Sequence, residues 1–317
     1  MTTKNLCAVL KGKGDLCLEN RPVPVPLPNE VLIAVHTVGI CGSDIHLWKH
    51  GGIGNFTIQN PIVLGHESSG VVVKTGSLVK HLKPDLYWKL NQRKHLLISN
   101  FNEKLPSNVS LEEGSLMEPL AVAVHACRRA EITAGKSVLI CGAGAIGLVN
   151  LLTCKAMGAT KICITDISEK RLEIAKTLGA THQICVKDVD TKTAAEQIKS
   201  KLGGSPDVTL ECSGAEVSLR LAIKVAKSGG VVMMVGLGAS EITIPIIEAT
   251  VREVDIKGIY RYANCFPIAL ELVSSGAINV KPIITNLFHI EDVHKAFETA
   301  QLGTDGAIKV LVRCQLT

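Results

Sequence analysis

Cys41 closes the run EVLIAVHTVGIC, and Gly42, Ser43, Asp44 and His46 follow it at once. A cysteine at such a junction offers a soft thiolate donor, and hydroxyl and imidazole side chains within reach of it can carry protons. The plainer role for a single cysteine is small core filler, and this chain has eleven. Further on, VLGHESSGVVV puts His66 beside Glu67 near the start of an apolar strand. Successive strand residues face opposite ways, so the alternative to chemistry is that one of the pair simply looks at water.

The second half carries a different chemistry. In CGAGAIGL, Gly142, Gly144 and Gly147 are spaced GxGxxG around Ile146. One glycine makes the turn, one lets backbone approach a pyrophosphate, and one lets the helix pack on its strand. An apolar run suited to a buried strand precedes them, a helix-like run to Met157 follows, and Gly158 suits a helix C-cap. The next strand, KICIT, ends on Asp166. A carboxylate there accepts hydrogen bonds from both ribose hydroxyls and repels a 2′-phosphate, which favours NAD over NADP. Arg171, on the helix that Ser168 can cap, either lies along the adenosine ribose or belongs to a solvated face.

The alternation persists through HQICV, DVTLEC, AEVSLRLAIKVAKSGG, VVMMVGLG and VDIKGIY, which predicts a doubly wound parallel sheet. Ligands on such sheets bind beyond the carboxyl ends of the strands. That places Val235, Gly236 and Leu237, and the stretch Ile259, Tyr260, Arg261 and Tyr262, towards a nicotinamide.

Composition narrows the classes. Thirty-four Lys and Arg against twenty-nine Asp and Glu give a net charge of +5 with no basic block, so nucleic acid is not an expected partner. A length of 317 residues at 46% hydrophobic content fits about two packed domains. The uncharged stretch SVLICGAGAIGLVNLLTC reaches membrane-spanning length, yet its glycines and charged flanks predict strand, turn and helix, and no membrane. An odd number of cysteines without CxxC spacing, after an MTTKNLC start that lacks an apolar leader, predicts reduced thiols and a cytoplasmic protein. PVPVPLP, at 22–28, predicts an edge or extended connector, because proline cannot donate to a ladder.

Together GICGSDIH, VLGHESSG, EPLAVAVHACRR, CGAGAIGL, ITDIS and VDIKGIYRYANCFP resemble the zinc-dependent medium-chain dehydrogenases, in that family's order and over residues 1–84 and 105–317. The resemblance implies an α/β fold: a Rossmann doubly wound parallel sheet over 120–261, and a GroES-like, barrel-like, β-rich catalytic domain over 1–119 and 262–317. It implies one catalytic Zn²⁺ held by Cys41, His66 and Glu67 with a fourth position open. Glu118 would then lie close to the metal, holding its water or substituting for Glu67. Ser43 and His46 resemble the family's proton-relay positions, and Arg261 and Tyr262 its polyol hydroxyl binders, which reject substrates lacking the matching hydroxyls. The implied reaction is NAD-dependent oxidation of a polyol to the ketose, in a homo-oligomer that the resemblance makes a tetramer. A smaller secondary alcohol, or an amino acid such as threonine, is the alternative substrate. Trp48 and Phe56 either line the site or make apolar contacts under a loop.

Two departures from the family matter. Leu47 takes the place of a tyrosine that touches substrate in the resembling enzymes. Between Pro84 and Leu105, DLYWKLNQRKHLLISNFNE stands where the family has a GDRV strand and a long lobe, so the catalytic domain is expected to be incomplete and altered at 85–104. The insert has neither clean alternation nor an amphipathic face, which predicts neighbouring backbone groups left without partners. The rival reading is therefore a shortened variant or diverged paralogue that binds NAD with impaired catalysis.

Overall fold

A computed structural model of the protein describes residues 5–54, 56–80, 87–90 and 104–314. They form two compact units, one running to Glu118 and resuming at Ile284, the other spanning Pro119–Ile283.

In the second unit six parallel strands stand in the order His182–Cys185, Lys161–Asp166, Ser137–Cys141, Val208–Glu211, Val231–Met234, Asp255–Gly258. Parallel neighbours need crossover connections, and the helices Ala145–Ala156, Glu169–Leu178, Thr191–Leu202 and Glu216–Val225 supply four of them. With both faces covered, the central strands bury nearly every side chain, as Val138, Leu139, Ile140, Ile162 and Ile164 do. Strand order reverses beside Ser137–Cys141, which is where a doubly wound sheet opens a ligand crevice. The uncharged stretch is thus strand, turn and helix, and among the described residues no helix is long and apolar enough to cross a membrane.

Residues 262–283, expected in the catalytic domain, pack within this second unit. The physical reason is burial: the helix Phe266–Ser274 hides Phe266, Ala269, Leu270 and Val273, and the Arg128 guanidinium donates to the buried Cys265 Sγ at 3.9 Å. The chain leaves only at Ile284, where a strand of the other unit begins.

The first unit is β-rich, as a GroES-like domain requires. Its five-stranded sheet has the order Ile284–His289, Lys309–Arg313, Val31–Gly39, Glu67–Thr75, Tyr87–Leu90, beside a three-stranded sheet of Asp15–Asn20, Leu6–Gly12 and Ile62–Val63. Leu10, Leu16, Val310 and Val312 from the strands and Ile40 just after one close a core with Leu47 and Trp48 from the helix Gly42–His50 and Phe297 from Val293–Leu302. Residues 21–27, in the proline-rich stretch, have no helix or strand.

The altered segment corrects one expectation. Most of 85–104 lies outside the described residues, but Tyr87–Leu90 is a strand. It pairs antiparallel with Ser68–Val71, Leu90 opposite Ser68 and Tyr87 opposite Val71. The insert therefore does supply partners to part of the strand Glu67–Thr75. An edge strand needs only its ladder, so four residues without amphipathic patterning suffice.

Candidate functional site

Cys41 is the N-cap of the helix Gly42–His50. Its backbone N–H donates to Asp44 Oδ2 at 3.0 Å, the return half of a capping box. The same buried carboxylate turns its other oxygen to His66 Nδ1 at 3.4 Å. His66 is not part of the strand, which begins at Glu67. Just before His66 lies Gly65 in the left-handed region, φ +101°, where a Cβ would strike Val38 Cγ1 at 2.6 Å. That turn breaks the strand alternation, so two adjacent residues serve one cluster instead of opposite faces. One ligand atom each from Cys41, His66 and Glu67 lie within 4.8 Å of one another.

Glu67 is 1% exposed, and its two oxygens differ. Lys309 Nζ donates to Oε2 at 2.7 Å and to the Ile40 carbonyl at 3.1 Å. Oε1 is buried and has no hydrogen-bond partner among the described residues. Gly39 makes the room, since a Cβ there would collide with Oε2. A buried carboxylate oxygen left unmatched is costly unless a cation completes it. Sulfur, imidazole nitrogen and carboxylate oxygen, three in number, form a donor set that fits a zinc ion with one position open.

The charges agree with that fit. Burial pulls His66 down, but the Asp44 carboxylate and then Cys41 outweigh it and push the metal-free imidazole up to about 12. Zinc ligation requires that proton to leave. Burial also opposes the Asp44 charge, and His66 with the backbone N–H groups of Cys41 and Gly65 still holds it below the usual carboxylate range. Lys309, equally buried, keeps its proton tighter than an ordinary lysine because Glu67, Cys41 and Glu118 face it. Glu118, the second residue of the helix Met117–Arg129, is buried in the same electrostatic neighbourhood.

Ser43 and His46 lie half-buried on the helix that Cys41 caps, and the His46 ring sits 5.6 Å from that of His50. Leu47 and Trp48 face the core, Trp48 edge-on to Phe297 at 5.6 Å. Phe56 is exposed.

In the second unit the glycines make the turn and the close helix packing that their spacing predicts. Gly142 has φ +103°, Gly144 caps the helix Ala145–Ala156, and a Cβ on Gly147 would strike the Gly142 carbonyl. The Ile146 carbonyl accepts from Asn150 Nδ2 at 2.8 Å. Asp166 ends its strand buried, its carboxylate accepting from the Ala143 N–H at 2.6 Å and the Ser168 N–H at 2.9 Å. Arg171 is half-buried one turn into the next helix. Val235 and Gly236 donate their backbone N–H groups to the Glu211 carbonyl, both at 2.8 Å, leaving Leu237 exposed. Ile259 follows the last strand, and Tyr260 is exposed with the Arg261 guanidinium 5.4 Å above its ring. Arg261 is left-handed at φ +59°, and Tyr262 packs edge-on to Phe266 at 4.8 Å.

Two residues escaped the sequence reading. Asp44 stood inside a quoted motif, and its three-residue spacing from Cys41 was the capping-box signal. Lys309 gave no local signal, because 242 residues separate it from Glu67.

The pattern of the family described as Alcohol dehydrogenase GroES-like domain matches residues 27–85, and that of Zinc-binding dehydrogenase matches 145–275. The chain is 44% identical to sorbitol dehydrogenase of Bos taurus over 345 residues, covering 98% of this chain and 96% of that protein. It is equally 44% identical to sorbitol dehydrogenase of Homo sapiens, with 98% and 96% covered. An alignment of 345 positions against 317 residues leaves at least 28 positions of the bovine protein without a counterpart, in keeping with the shortened segment. Among solved structures, an Escherichia coli oxidoreductase of unknown specificity superposes with a TM-score of 0.89 at 34% identity, covering 99% of this chain and all of that one. The 2R,3R-butanediol dehydrogenase of Bacillus subtilis does so with 0.85 at 28%, covering 98% and 99%.

Proposed function

The chain belongs to the zinc-dependent medium-chain dehydrogenases, and from that membership we propose that it moves hydride from a secondary hydroxyl of a polyol, such as sorbitol or xylitol, to NAD⁺, giving the ketose. The observation that carries the reading is the unmatched Glu67 Oε1, buried beside Cys41 and His66. Zinc held by those three residues would supply Lewis acidity to the reacting hydroxyl, and NAD⁺ the hydride acceptor. Asp44 fixes the His66 ring, and Lys309 fixes Glu67 so that one oxygen faces the cluster. Ser43 passes the hydroxyl proton outward and His46 accepts it, from the helix that begins at the ligand Cys41. Glu118, whose charge acts on Lys309, would supply a second carboxylate able to hold water or to take the place of Glu67 as a ligand.

In the other unit Asp166 receives the ribose hydroxyls, and the turn at Gly142, Gly144, Ile146 and Gly147 receives the pyrophosphate. Arg171 lies along the adenosine ribose, and Val235, Gly236, Leu237, Ile259 and Tyr260 border the nicotinamide. Arg261 and Tyr262 bind the further hydroxyls of a polyol; the left-handed Arg261 is a strained position of the kind that collects at binding sites.

The protein works as a homo-oligomer, a tetramer by kinship. The edge of Asp255–Gly258, which no strand among the described residues pairs, and the exposed Ile246, Ile247 and Val251 just before it support a second copy there. Eleven free cysteines support a reducing, cytoplasmic setting.

NADH formation with sorbitol, in matched samples loaded with zinc or stripped by a chelator, tests the reading. Zinc-dependent turnover that prefers sorbitol or xylitol supports it. Preference for 2,3-butanediol or threonine replaces the substrate, and a folded, NAD-binding sample without turnover leaves only the cofactor site.

A further inference from the structure

The described residues of the first unit line a cavity of about 560 Å³ that borders the candidate zinc site at Asp44 and Gly65 and is otherwise walled by residues outside it. Its walls come from the strands Leu6–Gly12 and Val31–Gly39 and from the C-terminal segment, with Leu32, Ala34, Val38, Leu64, Phe297 and Val312 as the main apolar surfaces. At the rim Val23, Val63 and Val73 are 44%, 45% and 48% exposed, so the entrance is as apolar as the interior.

Four of the five polar side chains on its walls, all but Ser68, are already engaged. Asn5 Nδ2 donates to the Pro22 carbonyl at 3.3 Å, and Asp44 is occupied by Cys41 and His66. Cys7 Sγ donates to the Asn5 carbonyl at 3.6 Å and Cys314 Sγ to that of Val312 at 3.9 Å. Burial pushes both thiols up, so they stay uncharged at neutral pH. Such walls reward neither water nor a charged molecule: an empty apolar space forfeits dispersion contacts, and water there lacks the two to four partners it needs. A polyol, with a hydroxyl on nearly every carbon, is no better suited, which separates this cavity from the substrate site of the dehydrogenase. The volume lies within the range of sites that enclose a small organic molecule.

We propose that this cavity is a second binding site of the chain and takes one uncharged, apolar small molecule, aliphatic or aromatic, entering past Val23, Val63 and Val73.

The test uses the full chain and the uncharged fluorophore N-phenyl-1-naphthylamine. The expected result is a saturable rise in emission at one probe per chain, weakened about tenfold or more by Ala34→Trp, which fills the space from a wall residue outside the zinc and nucleotide machinery. Val73→Trp, at the exposed rim, narrows the entrance without touching the core and answers the question if Ala34→Trp fails to fold. Absence of saturable binding overturns the proposal. So does binding that both variants leave intact, or that disappears as the chain self-associates and a second copy covers the rim.

Discussion

Two buried carboxylates at strand ends, Glu67 in the first unit and Asp166 in the second, are held by different means. Glu67 meets a lysine ammonium on one oxygen and nothing on the other. Asp166 has a backbone N–H on each oxygen, from Ala143 and Ser168. A carboxylate matched by local backbone is placed by the turn that carries it and tolerates no vacancy. One matched by a distant side chain can leave an oxygen bare, and that bare oxygen is what a metal needs. The first region is therefore built on balanced charge, and the second on backbone clearance around glycine.

Removing the charge balance should have the largest effect. Lys309→Met strands Glu67 as a buried charge and is expected to cost the metal-free protein about 3–5 kcal/mol by urea denaturation. Lys309→Met with Glu67→Gln should recover most of it, and a single variant as stable as the parent would break the contrast. Asp44→Asn comes next: it removes the anion behind His66 and should weaken zinc about 10–100-fold in a chelator competition, with NAD⁺ affinity unchanged.

The pH dependence sharpens the same point. A raised His66 stabilises the metal-free fold fully below the ordinary imidazole range, and that gain fades as the pH climbs towards 12. Zinc must displace this proton, so its apparent affinity should tighten about tenfold per pH unit across neutrality for each proton released. A pH-independent zinc affinity would show that His66 is neutral before the metal arrives.

In the second region steric change should dominate. Gly147→Ala drives a methyl into the Gly142 carbonyl and is expected to cost about 1–3 kcal/mol and weaken NAD⁺, leaving zinc affinity untouched. The smallest effect belongs to Asp207, whose carboxylate combines both modes by accepting from the Ser137 N–H and hydroxyl and from Lys227. Burial opposes its charge, yet these donors hold it well below the usual carboxylate range. Its contribution is present above the unfolded carboxylate pKa and is lost as the pH falls towards the folded one. Asp207→Asn should therefore cost about 1 kcal/mol at neutral pH and flatten the acid limb of a stability profile.

The sequence alone determined the strand order and the glycine turn of the nucleotide-binding unit, though not its C-terminal boundary, which lies at Ile283 and not at 261. Its glycine spacing, its buried strands and the acid ending KICIT act within single strand–turn–helix segments, where neighbours in sequence are neighbours in space. The zinc donors were legible only through family likeness, since the strand period sets His66 and Glu67 on opposite faces, and only the fold shows the left-handed Gly65 before them, where Val38 leaves no room for a Cβ. Tertiary structure alone decided that Lys309 faces Glu67, that Leu47 and Trp48 belong to the core, and that four residues of the insert pair with Ser68–Val71. Each of these depends on which distant segment arrives opposite, and neither propensity nor spacing encodes that.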